Sequence, residues 1–246
     1  MDFPLIIISV IAVLFTIWVL FWVVVLICAA CVNPNIVYTK NNPFYRFILK
    51  TLNTIVMCSC NIKIKASGND IIPSDGNFLI VSNHLSKFDP LVLMHVLRKR
   101  NISFVSKTSN LKIPIFGKIA IRNCFIPIDR ANVGSSFQSL MDASEILQET
   151  NVSVGIYPEG TRNRTDALLL PFHDGIFKAA QKASVPVLVV TVHGTDKIHK
   201  NAPLKRSVVN VDFCGVITQE YVKSNSSHAI ADTAREMMLE SISKYN

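Results

Sequence analysis

The order of apolar and polar segments predicts an α/β fold: a largely parallel sheet flanked by helices, with an N-terminal transmembrane helix. Three observations carry this. Residues Phe3 to Val32 hold no charged side chain, and about 20 apolar residues span a bilayer as a helix. Beyond them, short apolar runs alternate with helix-compatible segments, the pattern of parallel strands joined by helices. The roughly 200 residues left after the span are enough for one domain with a full core.

The span defines an anchor at residues 1–32. It is not read as a signal peptide, because no basic segment precedes it and the apolar block is too long. Residues 33–60 form a polar linker, Asn33 to Asn42, and an apolar stretch, Pro43 to Ser59, that carries Arg46 and Lys50. That stretch reads either as a helix lying on the membrane or as the first core helix. Residues 61–246 are the domain proper. Strands are expected at Asn61–Lys65, Asn77–Val81, Ile102–Val105, Phe125–Ile128, Val152–Tyr157, Val185–Val192 and Val208–Val216. Val185–Val192 is the most apolar and is therefore placed centrally. Helices are expected at Leu91–Leu97, Ile113–Arg122, Ser135–Glu149, Gly175–Ala183 and Ile230–Tyr245. The third of these shows an apolar face made mostly of Phe137, Leu140, Met141, Ile146 and Leu147.

The chain carries a net charge of +8. The first charges after the span are Lys40, Arg46 and Lys50, and only Asp2 precedes it. The positive-inside rule puts the domain on the cytoplasmic side of the cell membrane. No nucleic-acid motif accompanies the basic balance, so anionic membrane lipid is the expected partner. The six cysteines include a Cys28-x-x-Cys31 pair, but it lies in the apolar span with nothing to activate it, and reduced thiols are expected. The histidines outside the site below show no ligand spacing, so no metal is expected.

Four strand ends carry the chemistry: Asn83-His84, Lys107, Asp129-Arg130 and Glu159-Gly160-Thr161-Arg162. In a parallel sheet these carboxyl ends share one edge, where ligands bind. His84 and Asp89 lie five residues apart, on a strand-to-helix turn where their side chains can meet. Imidazole takes and returns a proton near neutral pH, and a carboxylate on its far nitrogen fixes the tautomer. Asp89-Pro90 also reads as a helix start, with aspartate as cap. Arginine's fork suits a phosphate, Gly160 allows close backbone approach, and Thr161 adds a hydroxyl. The physical reading is proton abstraction beside a phosphate-bearing ligand. Ser82 and Ser86 flank His84, but no G-x-S-x-G elbow surrounds either.

These motifs resemble those of the glycerolipid acyltransferases. His84 to Asp89 matches their H-x-x-x-x-D motif, and Phe125 to Arg130 looks like their second block. Pro158-Glu159-Gly160-Thr161-Arg162 matches the third, and Val185-Pro186-Val187 the fourth. The chain is most similar to the PlsC-type 1-acyl-sn-glycerol-3-phosphate acyltransferases, over about Asn61 to Val216. The resemblance implies the glycerolipid acyltransferase fold, with His84 as general base on the sn-2 hydroxyl of lysophosphatidic acid and Asp89 orienting it. It implies direct attack on an acyl thioester, with acyl-CoA or acyl carrier protein as donor and no cofactor. Lys107, Arg130, Glu159, Gly160, Thr161 and Arg162 would hold the glycerol phosphate, and Val185 and Pro186 would shape the acyl site. Three positions depart from the family pattern: Thr108-Ser109, Cys124 and His173-Asp174. Glycerol 3-phosphate or another lysophospholipid as acceptor, and a non-catalytic membrane-bound lipid-binding module, are the alternatives.

Overall fold

The computed structural model describes residues 3–129 and 131–245. Helix α1 (Phe3–Ala30) is one uninterrupted apolar rod of 28 residues. At 1.5 Å per residue it is about 42 Å long, more than the ~30 Å hydrocarbon core of a bilayer. Only Val25, Cys28 and Ala29 are buried along it. They cluster with Val32, Ile48 and Leu49, and the Tyr45 hydroxyl donates to the Cys28 carbonyl at 3.1 Å. The base of the rod is thus seated on the domain, and the exposed remainder is long and apolar enough to cross a membrane.

Helix α2 (Pro43–Ser59) begins where the Asn42 side chain accepts from the Phe44 and Tyr45 amides, with Pro43 in the first turn. Both sequence readings of this stretch have a counterpart in it. Ile48, Leu49, Leu52 and Met57 are buried in the core, while Phe44, Phe47 and Ile55 stay exposed on the outer side.

The domain continues through β1 (Ile62–Ser67), β2 (Leu79–Ser82), α3 (Asp89–Val96), β3 (Ile102–Lys107), α4 (Thr108–Leu111) and α5 (Phe116–Arg122). Then come β4 (Ile126–Ile128), α6 (Val133–Glu149), β5 (Ser153–Ile156), α7 (Lys178–Ala183), β6 (Val187–His193) and α8 (Ile198–Asn201). It closes with β7 (Ser207–Ile217), α9 (Gln219–Ser224) and α10 (Ser227–Ile242). The strands form one seven-stranded sheet in the order β1-β7-β6-β2-β5-β3-β4. Every neighbouring pair is parallel except β6 with β7. Side chains alternate across the sheet. Phe78 and Ile80 face a core shared with α2, α3 and α5. Leu79 and Val81 face one shared with α6, α7 and α10.

The most apolar strand, β6, lies in the interior of the sheet, between β7 and the middle strand β2. Two expectations are corrected. The run expected as a helix from Ile113 starts only at Phe116, because Ile115 sits at φ +64°. In α6 the buried face is Ser139, Ala143, Ile146 and Leu147, and Phe137 is 63% exposed. Phe137 lies two residues from Ser139, about 200° away around the helix.

Candidate active site

Strand β2 is buried along its whole length and aims the chain at the carboxyl edge of the sheet. One residue past its end, Asn83 extends the pairing with its side chain. Its amide donates to the Val192 carbonyl at 2.9 Å and accepts from the Val192 amide at 2.8 Å. This ties the end of β2 to β6 and delivers His84 just beyond the edge. The His84 N–H donates to Glu159 Oε1 at 2.7 Å, and its carbonyl accepts from the Asn163 amide at 2.7 Å. Its ring stacks on Tyr157, with centroids 4.1 Å apart and planes 17° from parallel. Backbone and ring are both clamped, and the side chain is 13% exposed.

His84 Nδ1 lies 2.7 Å from Asp89 Oδ2. The turn between them supplies backbone rather than side chains: the Leu85 and Ser86 amides also donate to Oδ2, at 2.7 and 2.8 Å. Thr195, just past the end of β6, donates its hydroxyl to Oδ1. Asp89 is fully buried, and among the described residues its oxygens meet only groups that can donate. Nδ1 therefore carries the ring proton, and Nε2, with no partner among the described residues, keeps its lone pair. Asp89 does not cap its helix, as the sequence suggests. Phe88 holds the cap position, and Asp89 is the first helical residue. Its carboxylate reaches back to the two amides before it.

Glu159 is corrected too. The expectation put it among the ligand contacts, yet it is 3% exposed. Its oxygens accept the His84 and Leu170 amides, the latter at 2.9 Å. It pins the loop after β5 to the loop after β2 and forms no ion pair with Arg162 among the described residues. Burial raises its pKa, against the pull of those two amides and of His84. Gly160 turns the chain at φ +65°, and a Cβ there would come 2.7 Å from the His173 ring. Thr161 and Arg162 follow, exposed on the same rim, and Lys107 ends β3 exposed on it as well. Arg130 lies outside the described residues.

Val185 and Pro186 are not at the site. They precede β6, whose first residue pairs with Leu79 at the start of β2, and the Pro186 carbonyl accepts the Leu79 amide at 3.0 Å. They set the register of β2 from the opposite edge of the sheet. The flanking serines are committed elsewhere. Ser82 Oγ donates to the Asn83 carbonyl, and Ser86 Oγ accepts from the Phe88 amide.

Sequence reasoning missed Tyr157, Asn163 and Thr195. Tyr157 and Thr195 follow β5 and β6 on the same edge, so the rule of strand ends already contained the signal. A cavity of about 260 Å³ adjoins the site, lined by Val105, Ile128, Leu140, Ile156 and Ile176 beside Tyr157 and Gly160.

A clamped histidine whose Nε2 has no partner among the described residues, a buried carboxylate behind it, exposed cations on the rim and an apolar cavity thus meet at one edge of the sheet. The chain belongs to the acyltransferase family, whose Acyltransferase model matches residues 63–193, just over half of it. It is similar to the chloroplastic 1-acyl-sn-glycerol-3-phosphate acyltransferase of Brassica napus, 30% identical over 81% of this chain and 56% of that one. It is also similar to the enzyme of that name from Escherichia coli K12, 29% identical over 70% of this chain and 69% of the other. The alpha form from Bos taurus is 27% identical over 90% and 75%. This chain thus spans little more than half the length of the chloroplast relative. In fold it matches the crystal structure of the 1-acyl-sn-glycerophosphate acyltransferase PlsC from Thermotoga maritima. The TM-score is 0.67 at 22% identity, covering 81% of this chain and 79% of that one.

Proposed function

We propose that the chain transfers an acyl group from a thioester, acyl-CoA or acyl carrier protein, to the sn-2 hydroxyl of 1-acylglycerol 3-phosphate, giving phosphatidic acid. The observation that carries this is the 2.7 Å contact between His84 Nδ1 and Asp89 Oδ2, which leaves Nε2 open as a base. Nε2 takes the hydroxyl proton as the oxygen attacks the thioester carbonyl. The tetrahedral intermediate then expels the thiolate, which recovers the proton from the imidazolium. The base ends neutral and no acyl-enzyme forms. Asp89 holds the ring and balances the charge it carries between the two steps. Arg162, Thr161 and Lys107, with Arg130, receive the phosphate, and the apolar cavity beside Tyr157 takes an acyl chain.

The names of the relatives support the acceptor, and α1 supports placement at a membrane. The basic residues after the span support the cytoplasmic face. Purified protein given lysophosphatidate and acyl-CoA should release free thiol, and an acceptor panel including glycerol 3-phosphate should favour lysophosphatidate. A His84→Ala variant that folds and keeps the full rate removes the mechanism.

A further inference from the structure

A second cavity, of about 320 Å³, lies between α2 and α3 at the amino end of β3. The parallel strands put it on the rim opposite His84. The four residues of β2 alone separate the two rims by about 13 Å. Arg46 and Lys50 from α2, His95 from α3, and Arg98, Lys99 and Arg100 before β3 line it. No carboxylate lines it among the described residues.

Arg46 is the unusual member. It is 4% exposed, and all its partners are neutral. Nη1 donates to the Ile102 carbonyl at 2.5 Å, Nη2 to the Asn123 carbonyl at 3.2 Å, and Nε to Asn41 Oδ1 at 3.2 Å. A guanidinium taken out of water without a counter-charge is costly to keep, and burial pushes its pKa down to about 10. The groups around it respond in the same direction. Lys50 is lowered by burial and then by Arg46, and His95 by burial and then by Arg98. Arg100 is tied to the Ser74 and Gly76 carbonyls. Arg98 and Lys99 are exposed and stand at the mouth. The wall is a concentration of positive charge lacking an anion.

We propose that this cleft binds a phosphate monoester at a site separate from the reaction centre. Such a group brings up to two negative charges and three acceptor oxygens, enough to engage Lys50, Arg98 and Lys99 together; one carboxylate is not. A lipid head group can reach the cleft. The exposed Phe47 lies one helical turn from Lys50, and α2, with its exposed Phe44, Phe47 and Ile55, is the next helix after the membrane-length one, whose base packs against it. A free phosphate can reach it from solvent.

The test uses the full chain in phosphatidylcholine nanodiscs, with Arg162→Gln in every sample to weaken binding at the reaction rim. Thermal unfolding is followed as inorganic phosphate is titrated, and in discs containing phosphatidate or, at matched charge, phosphatidylserine. Bound anion should raise the unfolding midpoint. Lys50→Gln/Arg98→Gln/Lys99→Gln should weaken the response at least about tenfold while leaving the ligand-free midpoint near its parent value. Thr54→Glu, one turn from Lys50 and exposed in the cleft wall, removes no cation but supplies an internal anion, and should abolish the response. A response to inorganic phosphate alone makes the ligand soluble, and one to phosphatidate alone makes it a lipid head group; either supports the site. No response, an equal response to phosphatidylserine, or a response that survives both variants overturns it.

Discussion

Asp89→Asn tests the site most directly, because the structure allows the substitution to change charge with little change in shape. Asp89 Oδ2 accepts from Leu85, Ser86 and His84, and Oδ1 from the Thr195 hydroxyl. An asparagine that keeps its carbonyl at the Oδ2 position satisfies the same three donors. Its NH₂ then faces Thr195, whose hydroxyl rotates to accept. The flipped amide would set two backbone donors against its own NH₂, so the orientation is determined. What disappears is the negative charge 2.7 Å from the ring. Two unit charges at that distance interact by about 1.5 kcal/mol in bulk water and about 6 kcal/mol at an effective dielectric of about 20. A fully buried carboxylate lies nearer the second figure. At about 1.4 kcal/mol per tenfold, kcat should fall by between about ten and about 10⁴-fold. The assay is thiol release with lysophosphatidate and acyl-CoA, paired with thermal unfolding of the same preparation. Alanine is a poorer probe, since it leaves the part-buried Leu85 amide and the buried Ser86 amide without an acceptor, at up to about 1–3 kcal/mol each. An asparagine variant that is folded and turns over at the parent rate refutes the role given to Asp89.

Thr195→Val removes the donor to a buried carboxylate oxygen and should lower kcat more than it raises KM. Serine at that position should restore the rate, and an inert valine variant would contradict a positioning role. Tyr157 Oη is buried without a partner among the described residues. Tyr157→Phe keeps the stack on His84 and should raise unfolding stability by about 1 kcal/mol; a loss of stability would show that the hydroxyl is satisfied. Burial raises the Glu159 pKa above its ordinary 4.5. A carboxyl whose folded pKa lies above its unfolded one stabilises fully below the unfolded value, and that contribution is lost as pH rises through the folded value. Relative to Glu159→Gln, the parent should therefore be favoured most in acid and lose that advantage as pH climbs above about 4.5. Unfolding midpoints across pH check this, and a difference growing in the other direction is incompatible with it.

The alternation of apolar runs and helices was legible because a sheet covered on both faces requires it, and the strands fell near their expected places. Convergence on one edge was legible for the same reason: parallel strands put all their carboxyl ends together. What stayed hidden depended on partners distant in sequence. Thr195 meets Asp89 across 106 residues, and no local pattern marks a hydroxyl that donates to a buried carboxylate. Glu159 looks like a ligand contact beside Arg162, and only the fold shows its oxygens filled by the His84 and Leu170 amides. Val185 and Pro186 carry the right residue types, but they precede their strand instead of following it, and that difference moves them to the far rim. Phe137 failed for a simpler reason: a helix face is decided by which neighbour it meets, and a phenylalanine two residues out of phase stays in solvent.

The way Asp89 is held also accounts for the form of the motif. Its partners are the amides of Leu85 and Ser86, a hydroxyl and the imidazole, with no arginine or lysine among the described residues. The four residues between His84 and Asp89 contribute mainly backbone geometry, so the pattern needs a fixed spacing more than fixed identities within it. Ser86 adds a bond to the Phe88 amide that tightens the turn, while Lys87 faces solvent. Because the carboxylate is satisfied by neutral donors, Lys107 and Arg162 remain exposed on the rim, where in the proposed reaction a phosphate would meet them before the hydroxyl reached His84. A cation paired with Asp89 would have screened the charge that His84 needs behind it and removed a ligand from the rim. Placing neutral donors inside and charged ones outside lets one edge of the sheet do both tasks.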